Sequence, residues 1–182
     1  MNGMARKASL VLLVAGLALV GREGALRVHG LVAGGLVERA LSSYLRDGAP
    51  RRPWPWADFT PVARLAIPAS GVRRAVLDRA TGEAMAYGLG RAGRDGHVLV
   101  GHRDSCAAFL GDLQPGDAVV LERPDGGVSG YVVDRAFVVR TDQPHGRAAP
   151  PPDALALVTC YPFDSIVPGP QRYVVVCRPS RG

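Results

Sequence analysis

The chain has 182 residues, 47% of them hydrophobic and 21% charged, which allows one domain with its own core and excludes two large domains. The formal net charge is +6, but the basic residues are scattered and are not interleaved with aromatic ones, so the charge does not favour a nucleic-acid partner. Three cysteines without a CxxC spacing exclude both a disulfide framework and a zinc knuckle.

An uncharged apolar run covers residues 8–21, with Arg6 and Lys7 before it and Arg22 after it. A helix of these fourteen residues would be about 21 Å long, against about 30 Å of bilayer hydrocarbon. Residues 1–23 are therefore predicted to be a signal-peptide core or a short membrane anchor, and in both cases the rest of the chain is exported. A buried helix of a soluble domain is the remaining alternative.

After the apolar run comes a stretch with helical character, and it becomes rich in proline and arginine toward its end. Residues 24–53 are assigned to this linker, in which LVERALSSYL is the best amphipathic segment. Trp54 and Trp56 come next and are expected to cover apolar surface. The remaining domain is expected to span residues 54–182.

Short apolar runs bounded by turns begin at residue 62. The predicted strands are 62–68, 72–78, 97–102, 117–124, 130–140, 154–160 and 172–178. The Asp-Gly pair in PDGG at 124–127 is typical of a tight hairpin turn, and the prolines of 141–153 require an irregular loop. Residues 106–117 are expected to form a short helical or looped crossing. Seven or eight short strands with one long proline-rich loop predict a mainly β chain closed, or nearly closed, into a barrel.

Two residues with catalytic chemistry end predicted strands. Cys160 ends ALALVTC, and His102 ends HVLVGH. Arg172 opens the final predicted strand, and it returns to the level of Cys160 if the strands around the intervening loop pair antiparallel. A thiol, an imidazole and a guanidinium would then share one mouth of the barrel, which is the set that nucleophilic catalysis with oxyanion stabilisation needs.

Other roles for the cysteines stay open at this point. Cys160 itself could be a small buried apolar residue. A bridge between Cys160 and Cys177 is disfavoured, because hairpin geometry separates them by about 16 Å and a disulfide spans at most about 7 Å. Cys177 is therefore assigned to the core. Cys106 lies four residues after His102 and would suit a metal pair in a helix, but no third ligand is near, so no metal site is predicted.

Four segments, in chain order, resemble the sortases: VGHRD at 100–104, FLGDLQPGDAVVL at 109–121, LVTCYPF at 157–163 and QRYVVV at 171–176. The resemblance runs from about Trp54 to Arg178 and is greatest to the sortases of Gram-negative bacteria. It preserves the order His, Cys, Arg. ALVTC stands where many sortases have a T-L-x-T-C run.

The resemblance implies an eight-stranded sortase-like β-barrel with short helices, preceded by an N-terminal apolar helix. It implies a cysteine transpeptidase that cleaves an LPxTG-like C-terminal sorting signal between Thr and Gly and joins the Thr carbonyl to an amine. Cys160 would be the nucleophile, His102 the proton carrier, and Arg172 the cation that holds the substrate carbonyl. No cofactor is implied. The protein would sit in the inner membrane through its N-terminal segment, with the catalytic domain in the periplasm.

The resemblance also places the peptide in a groove beside the strand that ends at Cys160. The loop 141–153 is expected to contact its Leu-Pro portion, and the loop 161–171 its Thr-Gly side. Thr159 could equally be present for its β propensity. The residues predicted to contact substrate are Thr159, Tyr161 and Pro162.

Three rival interpretations remain. A cysteine peptidase would release the acyl-enzyme to water, although papain-like enzymes place Cys before His and this chain has the reverse order. An L,D-transpeptidase would set its cysteine in an S-H/R-G-C motif, which VTCYP does not match. A catalytically inactive envelope-binding barrel would not need the thiol of Cys160 at all.

Overall fold

The computed structural model describes residues 13, 16, 30–93, 95–142, 151, 153–167 and 169–180. The chain divides into two compact units, Met1–Leu36 and Val37–Gly182. Residues 30–47 form helix α1. The apolar segment predicted at 1–23 lies outside the described residues except for positions 13 and 16, so the N-terminal apolar helix is not supported. No described helix is long and apolar enough to cross a bilayer.

Within the described part of the second unit, eight strands close into a barrel. The order around the barrel is β1-β2-β3-β4-β7-β8-β6-β5. The β2–β3 and β4–β7 pairs are parallel, and the other pairs are antiparallel. The strands are β1 (Pro61–Ile67), β2 (Val72–Leu77), β3 (Leu89–Ala92), β4 (Val98–Val100), β5 (Ala118–Glu122), β6 (Val128–Arg140), β7 (Leu155–Cys160) and β8 (Gln171–Pro179).

Two elements were not anticipated from the sequence. Strand β3 has four residues and contains a glycine, so it offers neither length nor alternation as a signal. Helix α2 (Gly82–Tyr87) does carry a local signal, because Thr81 is its N-cap and its side chain accepts a hydrogen bond from the Ala84 amide at 3.2 Å. Glu83 in the first turn adds the acidic residue that a helix N-terminus favours.

The burial of the strands follows the two-residue period of a pleated sheet. In β1, Ala63, Leu65 and Ile67 point into the barrel and are buried, while the residues between them are half-buried. Strand β7 is buried on both faces, because Leu155 and Leu157 join the interior core and the other face lies in an outer apolar cluster. This position explains the unbroken apolar run that ends at the cysteine.

A second core lies between the barrel and the part of α1 that belongs to the second unit. Val37 and Leu41 of the helix pack there with Phe59 and Leu77. The prediction that the two tryptophans cover apolar surface is confirmed for Trp54, whose ring meets that of Phe59 edge-on at 5.6 Å. It is wrong for Trp56, which is 80% exposed.

Candidate active site

Cys160 is the last residue of β7 and pairs directly with Arg172, near the start of the antiparallel strand β8. The side chains of directly opposed residues in such a pair lie on the same face of the sheet. Both residues are half-buried. The hairpin register expected from the sequence is therefore observed, and it brings a thiol and a guanidinium together at one mouth of the barrel.

His102 reaches the same mouth from the parallel neighbour of β7. Strand β4 ends at Val100, two residues earlier than the sequence suggested, so His102 is an exposed loop residue and not a strand end. Val100 is in register with Val158, and the amide of Gly101 donates to the Val158 carbonyl at 3.1 Å. The chain therefore reaches His102 beside the last residues of β7.

Thr159 attaches this histidine-bearing turn to β7. Its hydroxyl donates to the carbonyl of Gly101 at 2.8 Å, and the residue is only 1% exposed. Its side chain offers no surface to a bound peptide. The structure thus gives Thr159 a structural role, between the strand that ends at Cys160 and the turn of His102, in place of the expected substrate contact.

Gly101 allows the turn to lie tightly against the core. A Cβ at this position would lie 2.7 Å from both the Cys106 sulfur and Leu89 Cδ2. Beyond it, the His102 carbonyl accepts hydrogen bonds from the amides of Ser105, at 3.3 Å, and Ala107, at 2.9 Å. The backbone on both sides of His102 is therefore fixed by hydrogen bonds, while the residue itself is exposed.

The guanidinium of Arg172 is held by nearby backbone carbonyls. Its Nη1 donates to the carbonyl of Gly169 at 2.6 Å and to that of Gln171 at 2.8 Å. These bonds hold the permanently charged guanidinium against the end of the β7–β8 loop.

An aromatic cluster of Tyr161, Phe163 and Tyr173 lies next to Cys160 in the chain and on the facing strand. The Tyr161 ring stacks on that of Tyr173 with centroids 6.1 Å apart, and Phe163 meets Tyr173 edge-on at 5.2 Å. The Tyr161 amide donates to the Gln171 carbonyl at 3.1 Å, which ties the two ends of the β7–β8 loop together. Tyr161 and Pro162 are half-buried, so each keeps a partly accessible surface beside Cys160.

The other two cysteines, Cys106 and Cys177, are in positions that make their thiols unreactive. All three cysteines are free thiols, but Cys106 and Cys177 are buried. Burial raises the pKa of the Cys106 thiol, whose sulfur also donates to the Met85 carbonyl at 3.3 Å. Burial raises the pKa of Cys177 to about 12, and its assignment to the core is confirmed. Both thiols stay protonated and unreactive at neutral pH.

The idea of a metal pair at Cys106 and His102 finds no support in the geometry. Residues 103–107 form turns and not the helix that would align the two side chains. Among the residues that the structure describes, no group of three potential metal ligands comes together. Part of the substrate-contact prediction cannot be located, because 143–150 and 152 of the loop at 141–153 lie outside the described residues.

A cavity of about 250 Å³ opens at the other mouth of the barrel. It is lined by His97, before β4, and by Leu155, the first residue of β7. At about 3.3 Å per residue, five residues of β7 separate this cavity from Cys160 by roughly 16 Å. The cavity therefore does not belong to the site around the thiol.

Comparison with known proteins agrees with this arrangement. The sortase domain family matches residues 65–180, which is more than half of the chain. The chain therefore belongs to the sortase family. The matched range contains the whole barrel from the middle of β1 onward and all three residues of the site.

Individual relatives match shorter parts or match in fold. Sortase D of Bacillus subtilis (strain 168) is 32% identical over 78 residues, which cover 43% of this chain and 39% of that protein. Sortase A from Corynebacterium diphtheriae superposes with a TM-score of 0.58 at 20% identity, over 69% of this chain and 63% of that one. The catalytic domain of B. anthracis SrtD gives a TM-score of 0.51 at 29% identity, over 66% and 88% of the two chains. The chain thus spans less than two thirds of the length of sortase D of Bacillus subtilis, at 39%, and of sortase A from Corynebacterium diphtheriae, at 63%.

Proposed function

We propose that this protein is a sortase transpeptidase that cleaves an LPxTG-like C-terminal sorting signal between Thr and Gly and transfers the acyl group to an amine. The observation that carries the proposal is the direct pairing of Cys160 with Arg172, with the turn of His102 bonded to the same strand. This is the arrangement that a thiol nucleophile needs in order to act beside a proton carrier and an oxyanion partner.

In the first half-reaction, the Cys160 thiol gives its proton to His102, and its sulfur attacks the carbonyl carbon of the threonine. The electron pair of the carbonyl moves to its oxygen, and the positive guanidinium of Arg172 stabilises the resulting oxyanion. As the oxyanion collapses, the C–N bond to glycine breaks and protonated His102 gives its proton to the departing amine. The products are a thioester on Cys160 and a peptide with a new glycine N-terminus.

The second half-reaction uses the same groups in reverse. An acceptor amine attacks the thioester carbonyl, neutral His102 takes the proton that the amine loses, and the C–S bond breaks. Cys160 leaves with the bonding electron pair, and a new amide joins the threonine to the acceptor. No electrons are gained or lost overall, so the reaction needs no redox cofactor.

The location in the inner membrane, with the catalytic domain in the periplasm, and the membership of the Gram-negative group of sortases are part of this proposal. The apolar run at 8–21 with its basic flanks supports the membrane location. Leu31 and Val32 at the start of the described part of α1 are 77% and 58% exposed, which suits a segment close to lipid. Alkaline extraction of cell membranes should leave the full chain in the membrane pellet, and release into the supernatant would reject the anchor.

A labelled LPxTG-like peptide and an added amine test the activity. We expect the purified full chain to form a peptide–amine product, and Cys160→Ala, His102→Ala and Arg172→Ala each to lower its rate by at least about 100-fold, the usual range for removing one such group. Mass spectrometry of a stalled reaction should find the acyl group on Cys160. Hydrolysis that is equal with and without the amine would favour the cysteine peptidase instead.

A further inference from the structure

Arg103 directly follows His102, and its side chain is bound to the loop that follows Cys160. Nη2 donates to the carbonyl of Ser165 and, at 3.2 Å, to the carbonyl of Val167. Nη1 is shielded from solvent and makes no hydrogen bond within the described ranges. The guanidinium is therefore partly buried against the chain, with one face bound to the loop.

The part of the loop that Arg103 binds is itself an ordered turn. The Ser165 hydroxyl donates to the Val167 carbonyl at 3.0 Å, and the Val167 amide donates to the Ser165 hydroxyl oxygen at 3.2 Å. Between these two residues lies Ile166, which is 98% exposed, and Val167 is 65% exposed. We refer to Ile166 and Val167 as the apolar tip of the β7–β8 loop.

His102 is therefore bracketed by two connections to the chain around Cys160. On its N-terminal side, Gly101 is bonded to Val158 and Thr159, which precede the nucleophile position. On its C-terminal side, Arg103 is bonded to the loop that follows it. Hydrogen bonds from a charged donor are stronger than those between neutral groups, so the second connection is well suited to restrain a surface loop.

We propose that Arg103 is a positioning residue that holds the turn of His102 against the β7–β8 loop. The imidazole of His102 and the apolar tip thereby stay at a fixed distance from each other, on either side of Cys160. The apolar tip then forms a preorganised wall for the bound peptide. Without the connection, the loop samples open positions and the peptide must order it on binding, which raises KM more than it lowers kcat. The kinetic part of this inference rests on the proposed function, but the mechanical connection does not.

The test uses three variants of the full chain. Arg103→Met keeps the length of the side chain and removes its donors, whereas Arg103→Lys keeps a charged donor. Arg79→Met is the matched control, because Arg79 is an exposed arginine beyond the far end of β2 that, among the described residues, bonds to its neighbour Asp78 at 3.1 Å. Amide hydrogen exchange of residues 163–167 reports on the connection directly and requires no turnover.

We expect Arg103→Met to speed amide exchange in 163–167 by about 10-fold or more, Arg103→Lys to restore most of the protection, and Arg79→Met to change nothing. With the labelled sorting peptide, Arg103→Met should raise KM at least about 5-fold with a smaller fall in kcat, while the alkylation rate of Cys160 stays unchanged.

Three outcomes would overturn the inference. The first is an Arg103→Met variant that exchanges 163–167 at the rate of the parent chain. The second is an Arg103→Lys variant that exchanges as fast as Arg103→Met. The third is faster exchange throughout β8 as well, which would mean that Arg103 contributes to the stability of the whole fold. If the parent chain cleaves no sorting peptide, the proposed function fails, yet the exchange data still decide whether the connection exists.

Discussion

The three cysteines differ in how deeply their thiols are buried, and burial determines how reactive each thiol is. Cys160 is half-buried at the end of β7, opposite Arg172, while burial raises the pKa values of Cys106 and Cys177. We therefore expect iodoacetamide at pH 8 to label the folded chain once, at Cys160. Peptide mapping checks the site, and the Cys160→Ser variant is the control. Modification of Cys177 in folded protein would contradict the assignment of that thiol to the core.

Thr159 stabilises the site through one buried hydrogen bond. In Thr159→Val the shape of the side chain is kept, but the Gly101 carbonyl loses its donor, so the free energy of unfolding should fall by about 1–3 kcal/mol. Turnover should fall as well, because the His102 turn loses its connection to β7. Thr159→Ser keeps the hydroxyl and should retain most of both properties. Urea unfolding and initial rates measure the two effects, and equal losses in both variants would reject the hydrogen-bond explanation.

The turn that links β4 to the short 3-10 helix Ala108–Gly111 depends on the absence of a side chain at residue 101. A Cβ there would lie 2.7 Å from the Cys106 sulfur, so Gly101→Ala must displace the turn that carries His102. We expect a loss of about 1–3 kcal/mol in the free energy of unfolding, as for other overpacked sites, together with a large fall in turnover.

Gly82→Ala is the control for the Gly101 substitution. A Cβ at Gly82 meets nothing within 4 Å, and the residue begins helix α2, where alanine is the better helix former. Its stability and activity should equal or exceed those of the parent chain in the same urea and rate measurements. A normal rate in Gly101→Ala would show that the turn tolerates displacement.

The second core connects the end of α1 to the barrel. It therefore determines how many N-terminal residues can be removed before the barrel loses stability. A chain beginning at residue 37 keeps Val37 and Leu41, and its barrel should unfold as in the full chain. A chain beginning at residue 53 loses both and exposes Phe59 and Leu77, which should lower the free energy of unfolding by several kcal/mol, at about 1.5–3 kcal/mol per large side chain. Matching urea midpoints for the two shortened chains would contradict this account.

The buried thiol of Cys177 also makes the stability of the whole molecule depend on pH. Its pKa is raised by burial from 9.0 to about 12. Between these values the unfolded chain releases the proton and the folded chain keeps it, so stability is full below pH 9 and falls as pH rises toward 12. Urea unfolding at pH 8 and pH 10 should show this decline, and Cys177→Ala should show a smaller one. An equal decline in both proteins would assign the effect to other groups.

Local sequence patterns were sufficient for most of the strands and for the order of the site residues. Short apolar runs bounded by turns predicted β1, and the apolar run that leads through Thr159 to Cys160 predicted β7, because such runs can be read directly along the chain. Strand β3 was missed since its four residues carry no alternation, and it forms through pairing with β2 and β4. Trp56 was misjudged because a tryptophan beside a proline gives no sign of which way its ring points.

The amino-acid sequence by itself determined that the chain forms a barrel of short strands and that a thiol, an imidazole and a guanidinium occur in that order. The tertiary structure confirmed the expected pairing of Cys160 with Arg172, and it alone decided that Thr159 faces inward to hold Gly101 and that Arg103 reaches the loop beyond Cys160. The physical reason is the range of the interactions. Strand propensity and the register of a hairpin act between near neighbours in the chain, whereas these last two contacts join residues 58 to 64 positions apart, and the pairing of β4 with β7 brings them together.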